Sequence, residues 1–227
     1  MPPDEDATDA TTTCTFTANE LDPVDAETAS PRPVGATIER RGSLREFGHE
    51  SVSARKFATV LDRALRGVPT AAGVDRGLLG CYCLVHAVDG IERGAYRYRP
   101  GSKALERVGD TDRETGAGSP AETSSGGSRE TAGHLALDQP VVGDAAANVY
   151  LLADVDRVVE RLGNRGYRLA QLAGGIALGR LYLATYAHLG LGGRGFTFYD
   201  DLVIEHLSPR AADRSPMTMF ALGKARK

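Results

Sequence analysis

The chain has 227 residues, of which 41% are apolar and 25% are charged, values typical of a globular protein with a sizeable core. The net charge of −3 gives no general electrostatic basis for binding nucleic acid, so we expect no nucleic-acid partner. No stretch approaches the roughly 18 uninterrupted apolar residues of a membrane span, and the first residues lack the basic and apolar regions of a secretory signal. We therefore predict a cytoplasmic protein without membrane contact.

The charge is unevenly distributed along the chain. Residues 1–34 contain eight acidic side chains and one basic side chain, Arg32, and they have no aliphatic run. Burial of so few apolar groups cannot offset the entropy lost on ordering, which predicts a disordered acidic tail. The alternative is an N-terminal arm that becomes ordered on a partner subunit. The remainder, residues 35–227, is predicted to be one folded domain.

The first predicted helix follows Ser51 and Ser53, which are both candidate N-caps. Its apolar residues recur at helical spacing and predict one buried face, formed by Phe57, Val60, Leu61 and Ala64. Gly67 is a typical residue just beyond a helix end, and Pro69 prevents continuation.

A β-hairpin is predicted next. Residues 78–88 form a short apolar run rich in strand formers, Asp89-Gly90 is a turn signal, and residues 94–99 alternate like a second strand. Cys81 and Cys83 would share one face of the first strand. Because Cys14 makes the cysteine count odd and no further metal ligands have suitable spacing, we predict buried structural thiols and no metal site.

Residues 109–133 contain no Leu, Ile, Val, Met, Phe or Tyr. This composition predicts a flexible insertion within the domain, which is either a functional lid or an unstructured loop. A buried strand over 145–153 and a helix capped by Asp154 and ending near Leu162 follow.

A second, longer helix is predicted over residues 165–188. It is apolar on most faces, so most of it should be buried. Three glycines inside it, Gly174, Gly175 and Gly179, are unfavourable in a helix and suggest that another helix or a planar ligand approaches closely. A glycine-rich loop over 190–195, a short helix capped by Asp200-Asp201 and a last strand over 217–222 complete the chain. The interleaving of helices and strands predicts an α+β or mixed α/β fold.

The common catalytic and phosphate-binding signatures are absent from the sequence. There is no P-loop, no serine-hydrolase elbow and no H-E-x-x-H signature, and the five histidines are scattered. The G-x-G-x-x-G in residues 190–195 follows a predicted helix rather than a strand, so it fails the test for a dinucleotide-binding fold. We assign no catalytic residue, and this pattern favours chemistry that is delegated to a bound cofactor.

Two basic groups are candidates for binding a phosphate. One lies in residues 40–45 and the other in residues 224–227. The alternative interpretations are a solvated helix face and a charged tail.

Several segments resemble those of one known family. Residues 38–47, IERRGSLREF, resemble the opening R-x-S-x-[RK]-x-F motif of nitroreductases, with matches at Arg41, Ser43, Arg45 and Phe47. Four further segments are similar to the SagB-type branch, the azoline dehydrogenases: GIERGAYRYRP, LALDQ, the RGYR helix over 165–183 and LGLGGRGFTFYDD. The closing ALGKARK matches the place where this fold supplies further cations to a phosphate. Together the matches span most of residues 38–227.

The resemblance implies a nitroreductase fold, with a mainly antiparallel sheet flanked by helices and a long buried central helix. It also implies a homodimer that binds FMN at the subunit interface and oxidises azoline-like rings in a modified peptide. The residues that it places at FMN are Arg41, Gly42, Ser43, Arg45, Thr70, Gln139, Thr197, Phe198, Lys224 and Arg226.

Two segments depart from the SagB-type pattern. Residues 68–73 read VPTAAG where many members have Y-P-S-x-G, and residues 172–180 lack the usual Glu, His and Gln of the long helix. Two other functions therefore stay open. One is an NAD(P)H-dependent nitro- or quinone reductase acting on a small-molecule substrate, and the other is a flavin-less partner subunit in a peptide-modifying complex.

Overall fold

The structure, a computed structural model, describes residues 18–24, 32–68, 78–108 and 128–226. Within these residues the strands are β1 (Ala18–Glu20), β2 (Phe47–Gly48), β3 (Leu79–Val85), β4 (Gly94–Arg99), β5 (Ala104–Arg107), β6 (Ala147–Ala153), β7 (Leu191–Phe196) and β8 (Ser215–Ala225). The helices are α1 (Val34–Arg40), α2 (Ala54–Leu65), α3 (Arg129–Leu135), α4 (Pro140–Asp144), α5 (Val155–Leu162), α6 (Asn164–Ala187) and α7 (Asp200–Leu207).

The strands form one antiparallel sheet in the order β1-β5-β4-β3-β6-β8-β2, and β7 also pairs with β8. Helices α2 and α6 pack on one face, against a core that contains Cys81, Cys83 and Phe220. Helices α3 and α7 pack on the other face, against a core that contains Tyr82 and Tyr150. The predicted α+β architecture with a mainly antiparallel sheet and a long helix is confirmed.

Helix α2 forms as its sequence predicts. Ser53 is its N-cap and accepts a hydrogen bond from the Lys56 backbone N–H at 3.4 Å. The predicted apolar face is fully buried, and Gly67 follows the helix with a φ of +58°, a conformation that favours glycine. Local capping and periodicity were sufficient here because they agree with the tertiary packing.

The predicted hairpin is formed by β3 and β4, in which Cys81 faces Tyr98 and Cys83 faces Tyr96. Both cysteines are free and buried, as predicted, and burial raises the pKa of the Cys83 thiol well above its ordinary value. Cys14 lies outside the described residues.

The structure moves the boundaries of two segments that we predicted to be unstructured. Residues 18–20, within the predicted tail, form β1 and pair with β5 at the edge of the sheet. Residues 129–133, within the predicted insertion, are helical because Ser128 caps α3 by accepting a hydrogen bond from the Thr131 backbone N–H. Val24 and Val34 of the predicted tail are also ordered, since the Val24 backbone N–H donates to the Thr59 hydroxyl at 2.8 Å and Val34 begins α1. Residues 1–17, 25–31 and 109–127 lie outside the described residues, so both predictions are untested there.

The predicted glycine-rich loop at residues 190–195 is wrong, because Leu191–Phe196 is a strand. All six of its residues pair with β8. Glycine is required here by packing, since a Cβ on Gly193 would lie 2.7 Å from Cε1 of Phe220 and 2.8 Å from the carbonyl oxygen of Ala221. The partner strand therefore determines this structure despite the low strand propensity of glycine.

Helix α6 is less buried within one chain than its composition suggests. Its buried residues form a single stripe, namely Gly166, Ala170, Ala173, Gly174, Ala177, Leu181 and Thr185. Leu172 is 60% exposed, and a Cβ on Gly175 or Gly179 would meet no atom within 4 Å. Of the three glycines that were predicted to permit a close approach, Gly174 alone lies against another element, at Met217 of β8. The predicted burial of most of this helix is therefore wrong for the single chain.

The predicted cap of the last helix is also wrong. Tyr199 is the N-cap of α7 and makes no capping hydrogen bond through its side chain. Asp200 and Asp201 lie in the first turn instead, where negative charge interacts favourably with the helix dipole.

Candidate functional site

The opening basic segment lies in extended conformation between α1 and β2. Arg41 ends α1, with its backbone N–H donated to the Thr37 carbonyl at 2.9 Å. The residues from Gly42 onward leave the helix, and the side chains of Arg41, Ser43 and Arg45 are exposed. Leu44 faces the protein, because its Cδ2 lies 3.1 Å from where a Cβ on Gly192 would be. The segment thus presents polar side chains outward and is anchored by one leucine.

The C-terminal basic group lies beside this segment. Strand β2 pairs with the end of β8, so that Gly48 faces Lys224. The Arg226 backbone N–H donates to the Glu46 carbonyl at 3.2 Å, and the Arg226 guanidinium lies 3.8 Å from the Glu46 carboxylate. Sheet pairing therefore joins two cationic segments that are far apart in sequence. Lys227 is outside the described residues.

Strand β7 lies on the other side of the opening segment. The Gly193 carbonyl accepts hydrogen bonds from the Leu44 backbone N–H and from the Tyr186 hydroxyl, both at 3.2 Å. The Gly195 backbone N–H donates to the Tyr182 hydroxyl at 2.7 Å. Two side chains of α6 thus connect the glycine-rich strand to the long helix.

Tyr182 also positions a predicted site residue. The Arg41 guanidinium lies 4.8 Å from the centroid of the Tyr182 ring, within the range of a cation–π interaction. The same ring packs edge-on against Phe220 at 4.7 Å, which fixes its orientation. Sequence reasoning missed Tyr182 and Tyr186, although their spacing of four residues on a helix would have placed them on one face.

Gln139, Thr197 and Phe198 belong to segments that adjoin a small apolar cluster. Gln139 is the N-cap of α4, and its side-chain amide donates to the Ala136 carbonyl at 2.7 Å. Thr197 is exposed, and Phe198 packs edge-on against Tyr150 at 5.9 Å. Thr70 is outside the described residues. The segments that carry the other predicted residues meet at a cluster formed by Leu44, Phe47, Val141, Ala145, Phe196 and Ala221.

A groove of about 440 Å³ lies beside Gln139, between α3 and α4. At its wall the Asp138 carboxylate lies 2.7 Å from a ring nitrogen of His134 and accepts a hydrogen bond from the Tyr199 hydroxyl at 3.2 Å. The hydrogen bond with His134 lowers the pKa of Asp138, whereas the negative charge of Asp138 raises the pKa of Tyr199. These three side chains are exposed and are joined by hydrogen bonds through the Asp138 carboxylate. They were missed because Tyr199 is distant from the other two in sequence.

Metal-binding clusters and membrane-spanning helices are both absent from the described residues. In the part of the chain that the structure describes, no group of three or more His, Cys, Asp or Glu side chains is arranged to hold a metal ion. None of the helices among these residues has the length and hydropathy to cross a membrane.

Comparison with known proteins supports the architecture. No family model matches the sequence. A Methanocaldococcus jannaschii protein provisionally named a nitroreductase is 25% identical over 198 residues, which are 82% of this chain and 87% of that protein. The solved structure of a provisionally named nitroreductase from Anabaena variabilis superposes with a TM-score of 0.74 and 24% identity, over 93% of this chain and 42% of that one. This chain has the nitroreductase fold.

Two other solved structures resemble the chain. An E. coli microcin synthetase complex, solved with a truncated precursor bound, contains a chain that superposes with a TM-score of 0.62 and 18% identity, over 83% of this chain and 70% of that one. An NADPH:FMN oxidoreductase from Vibrio harveyi, complexed with NAD⁺, superposes with a TM-score of 0.54 and 15% identity, over 86% and 69% of the two chains. The chain spans less than half of the Anabaena chain.

Proposed function

We propose that the chain is an FMN-dependent oxidoreductase of the nitroreductase family. The observation that carries this proposal is the pairing of β2 with the end of β8, which brings the basic opening segment and the basic C-terminal segment together beside a glycine-rich strand. FMN has a doubly charged phosphate and a flat ring. Guanidinium, ammonium and hydroxyl donors suit the phosphate, and a surface without side chains suits a ring.

The donor set fits this cofactor. Arg41, Ser43, Arg45, Lys224 and Arg226 would bind the phosphate. The residues proposed to surround the rest of the cofactor are Gly42, Thr70, Gln139, Thr197 and Phe198. FMN would supply the two-electron chemistry, while the protein would bind and orient the substrate and exclude water from it.

The purified protein is expected to be yellow and to contain non-covalent FMN. The absorption spectrum of the untreated protein measures this, and the ratio of released FMN to protein gives the occupancy. A colourless protein that also fails to take up added FMN would contradict the assignment. It would instead favour the flavin-less partner subunit, for which the absent Glu, His and Gln in residues 172–180 are the supporting observation.

The proposed reaction is the SagB-type oxidation of azoline-like rings in a modified peptide. It is supported by the resemblance of four segments to that branch and by the likeness to a chain of a complex solved with a peptide precursor. The test is to incubate the flavin-loaded protein with an azoline-containing peptide and to follow the loss of two hydrogens by mass spectrometry. An unchanged peptide mass, together with steady oxidation of NAD(P)H by a nitro compound or quinone, would favour a reductase instead.

The homodimer is part of this proposal, as is a cytoplasmic location. One face of α6 is apolar and uncovered in the single chain, with Leu172 60% exposed and open space beside Gly175 and Gly179. Large uncovered apolar patches on a soluble protein mark interaction surfaces, and a second copy of α6 would bury this one.

We therefore expect a dimeric mass by light scattering at micromolar concentration. Gly175→Glu should shift the mass to that of a monomer, because the single chain has room for the side chain but an interface would bury its charge. Gly101→Glu, at a turn that also has open space, is the control and should stay dimeric. A wild-type protein that is monomeric with flavin bound would contradict the proposal.

A further inference from the structure

A cluster of four arginines lies on the sheet face that α3 and α7 cover. Arg97 and Arg99 are alternate residues of β4 and therefore project from the same face. Arg210 and Arg214 come from the loop between α7 and β8. The Tyr82 hydroxyl donates to the Arg210 carbonyl at 2.6 Å and holds this loop against the sheet. We call these four residues the arginine cluster. All of them are partly buried.

Two arginines of the cluster share one ion-pair partner. Glu106 lies 2.8 Å from Nε of Arg99 and 3.8 Å from the guanidinium of Arg210, so one carboxylate is shared by two arginines. Within the described residues Arg97 has no ion pair, and its guanidinium lies 5.9 Å from the centroid of the Tyr82 ring. Arg97 is thus a partly buried cation without a carboxylate of its own.

The pKa of Arg97 reflects these surroundings. Burial lowers it, and the neighbouring charges of Arg99 and Arg214 lower it further, whereas Tyr82 and Glu106 act in the opposite direction. The charged form of Arg97 is therefore held in an unfavourable environment that an added anion would improve.

The arginine cluster is remote from the proposed FMN site. Arg214 precedes the first residue of β8, whereas Lys224 is near the other end of this 11-residue strand. At about 3.3 Å per residue, the two positions are roughly 30 Å apart. One small ligand cannot contact both places, so the cluster is not part of the phosphate site described above.

We propose that the arginine cluster is a second anion-binding site, which takes a phosphate or diphosphate group of a ligand. Guanidinium groups bind phosphate oxygens through paired hydrogen bonds, and several guanidiniums around one face match a tetrahedral anion with multiple charges. Arg97 supplies the uncompensated charge, while Arg99 and Arg210 are kept in position by Glu106.

Inorganic pyrophosphate is the probe for this proposal. Isothermal titration of the full chain, loaded with one equivalent of FMN to fill the proposed cofactor site, should show one binding event that weakens with added salt. Arg97→Gln should weaken this binding by about tenfold or more, and Arg214→Gln should have a similar effect. Arg161→Gln, at an exposed arginine of α5, is the matched control and should bind like the wild type.

The melting temperature shows whether a variant that loses pyrophosphate binding is still folded. Arg97→Gln should melt at the wild-type temperature or above it, because the substitution removes a repelled, partly buried charge. Absence of pyrophosphate binding to the wild-type chain would overturn the proposal. Binding to the FMN-loaded chain that survives both Arg97→Gln and Arg214→Gln would also overturn it, because the anion would then be held elsewhere on the chain.

Discussion

Replacing Arg41 by alanine is expected to weaken FMN binding about ten- to a hundredfold. A charge-assisted hydrogen bond contributes about 1.5–3 kcal/mol, and about 1.4 kcal/mol corresponds to a tenfold change in affinity. The guanidinium of Arg41 stacks on Tyr182, so it is held in place before any ligand binds. Fluorescence titration of the apo-protein with FMN measures the effect.

Arg40 is the matched control for this experiment. It is the last residue of α1 and is exposed, and its side chain forms no hydrogen bond or ion pair within the part of the chain that the structure describes. Arg40→Ala should therefore change the affinity by much less. Arg226→Ala tests the C-terminal contribution more cleanly than a truncation after Gly223, which would also remove the pairing of Lys224 with Gly48 and Leu191. If Arg41→Ala and Arg226→Ala both bind FMN with wild-type affinity, the two basic segments do not bind the cofactor and are only solvent-exposed charges.

The second large effect concerns stability. Gly166→Ala is expected to lower the melting temperature by about 3–10 °C, since overpacking costs about 1–3 kcal/mol and 1 kcal/mol shifts a chain of this size by about 2–4 °C. A Cβ on Gly166 would lie 2.6 Å from the carbonyl carbon of Val158 and 2.9 Å from the Val159 nitrogen. These are backbone atoms of α5, so α5 and α6 would have to move apart. A thermal melt followed by circular dichroism gives the shift.

Gly35→Ala is the corresponding control, because Gly35 also lies in the first turn of a helix and has no atom within 4 Å of an added Cβ. It should leave the melting temperature unchanged or raise it slightly, since alanine is favoured over glycine in a helix by up to about 1 kcal/mol. Equal melting temperatures for both variants would show that the α5–α6 junction is not tightly packed.

Parts of the fold could be predicted because local and tertiary preferences agree. The cap at Ser53, the apolar face of α2 and the stop at Gly67 are all encoded within a short segment. The β3–β4 hairpin is likewise specified by alternation and a turn signal. In the candidate site, the resemblance to nitroreductases singled out the two basic segments, and the structure places them side by side, although their role in binding FMN remains a prediction.

Other parts could not be predicted because they depend on residues far away in the sequence. Glycine-rich β7 exists because β8 pairs with it and because the Phe220 ring excludes a side chain at Gly193. The exposure of Leu172 depends on which face of α6 meets the sheet, which its nearly uniform apolar composition does not encode. Tyr182 becomes a site residue only through its contacts with Arg41 and Gly195.

The position of β8 has a consequence for the order in which the chain folds. This strand follows all the others in the sequence, yet it pairs with β6, β7 and β2 and contributes Phe220 and Met219 to the cores on opposite faces of the sheet. Until β8 emerges from the ribosome, β6 has an open hydrogen-bonding edge and both cores are incomplete. Such long-range pairing gives a high contact order, which slows folding and prolongs the exposure of apolar surface. The nascent chain is therefore expected to fold slowly and to expose apolar surface until β8 is synthesised.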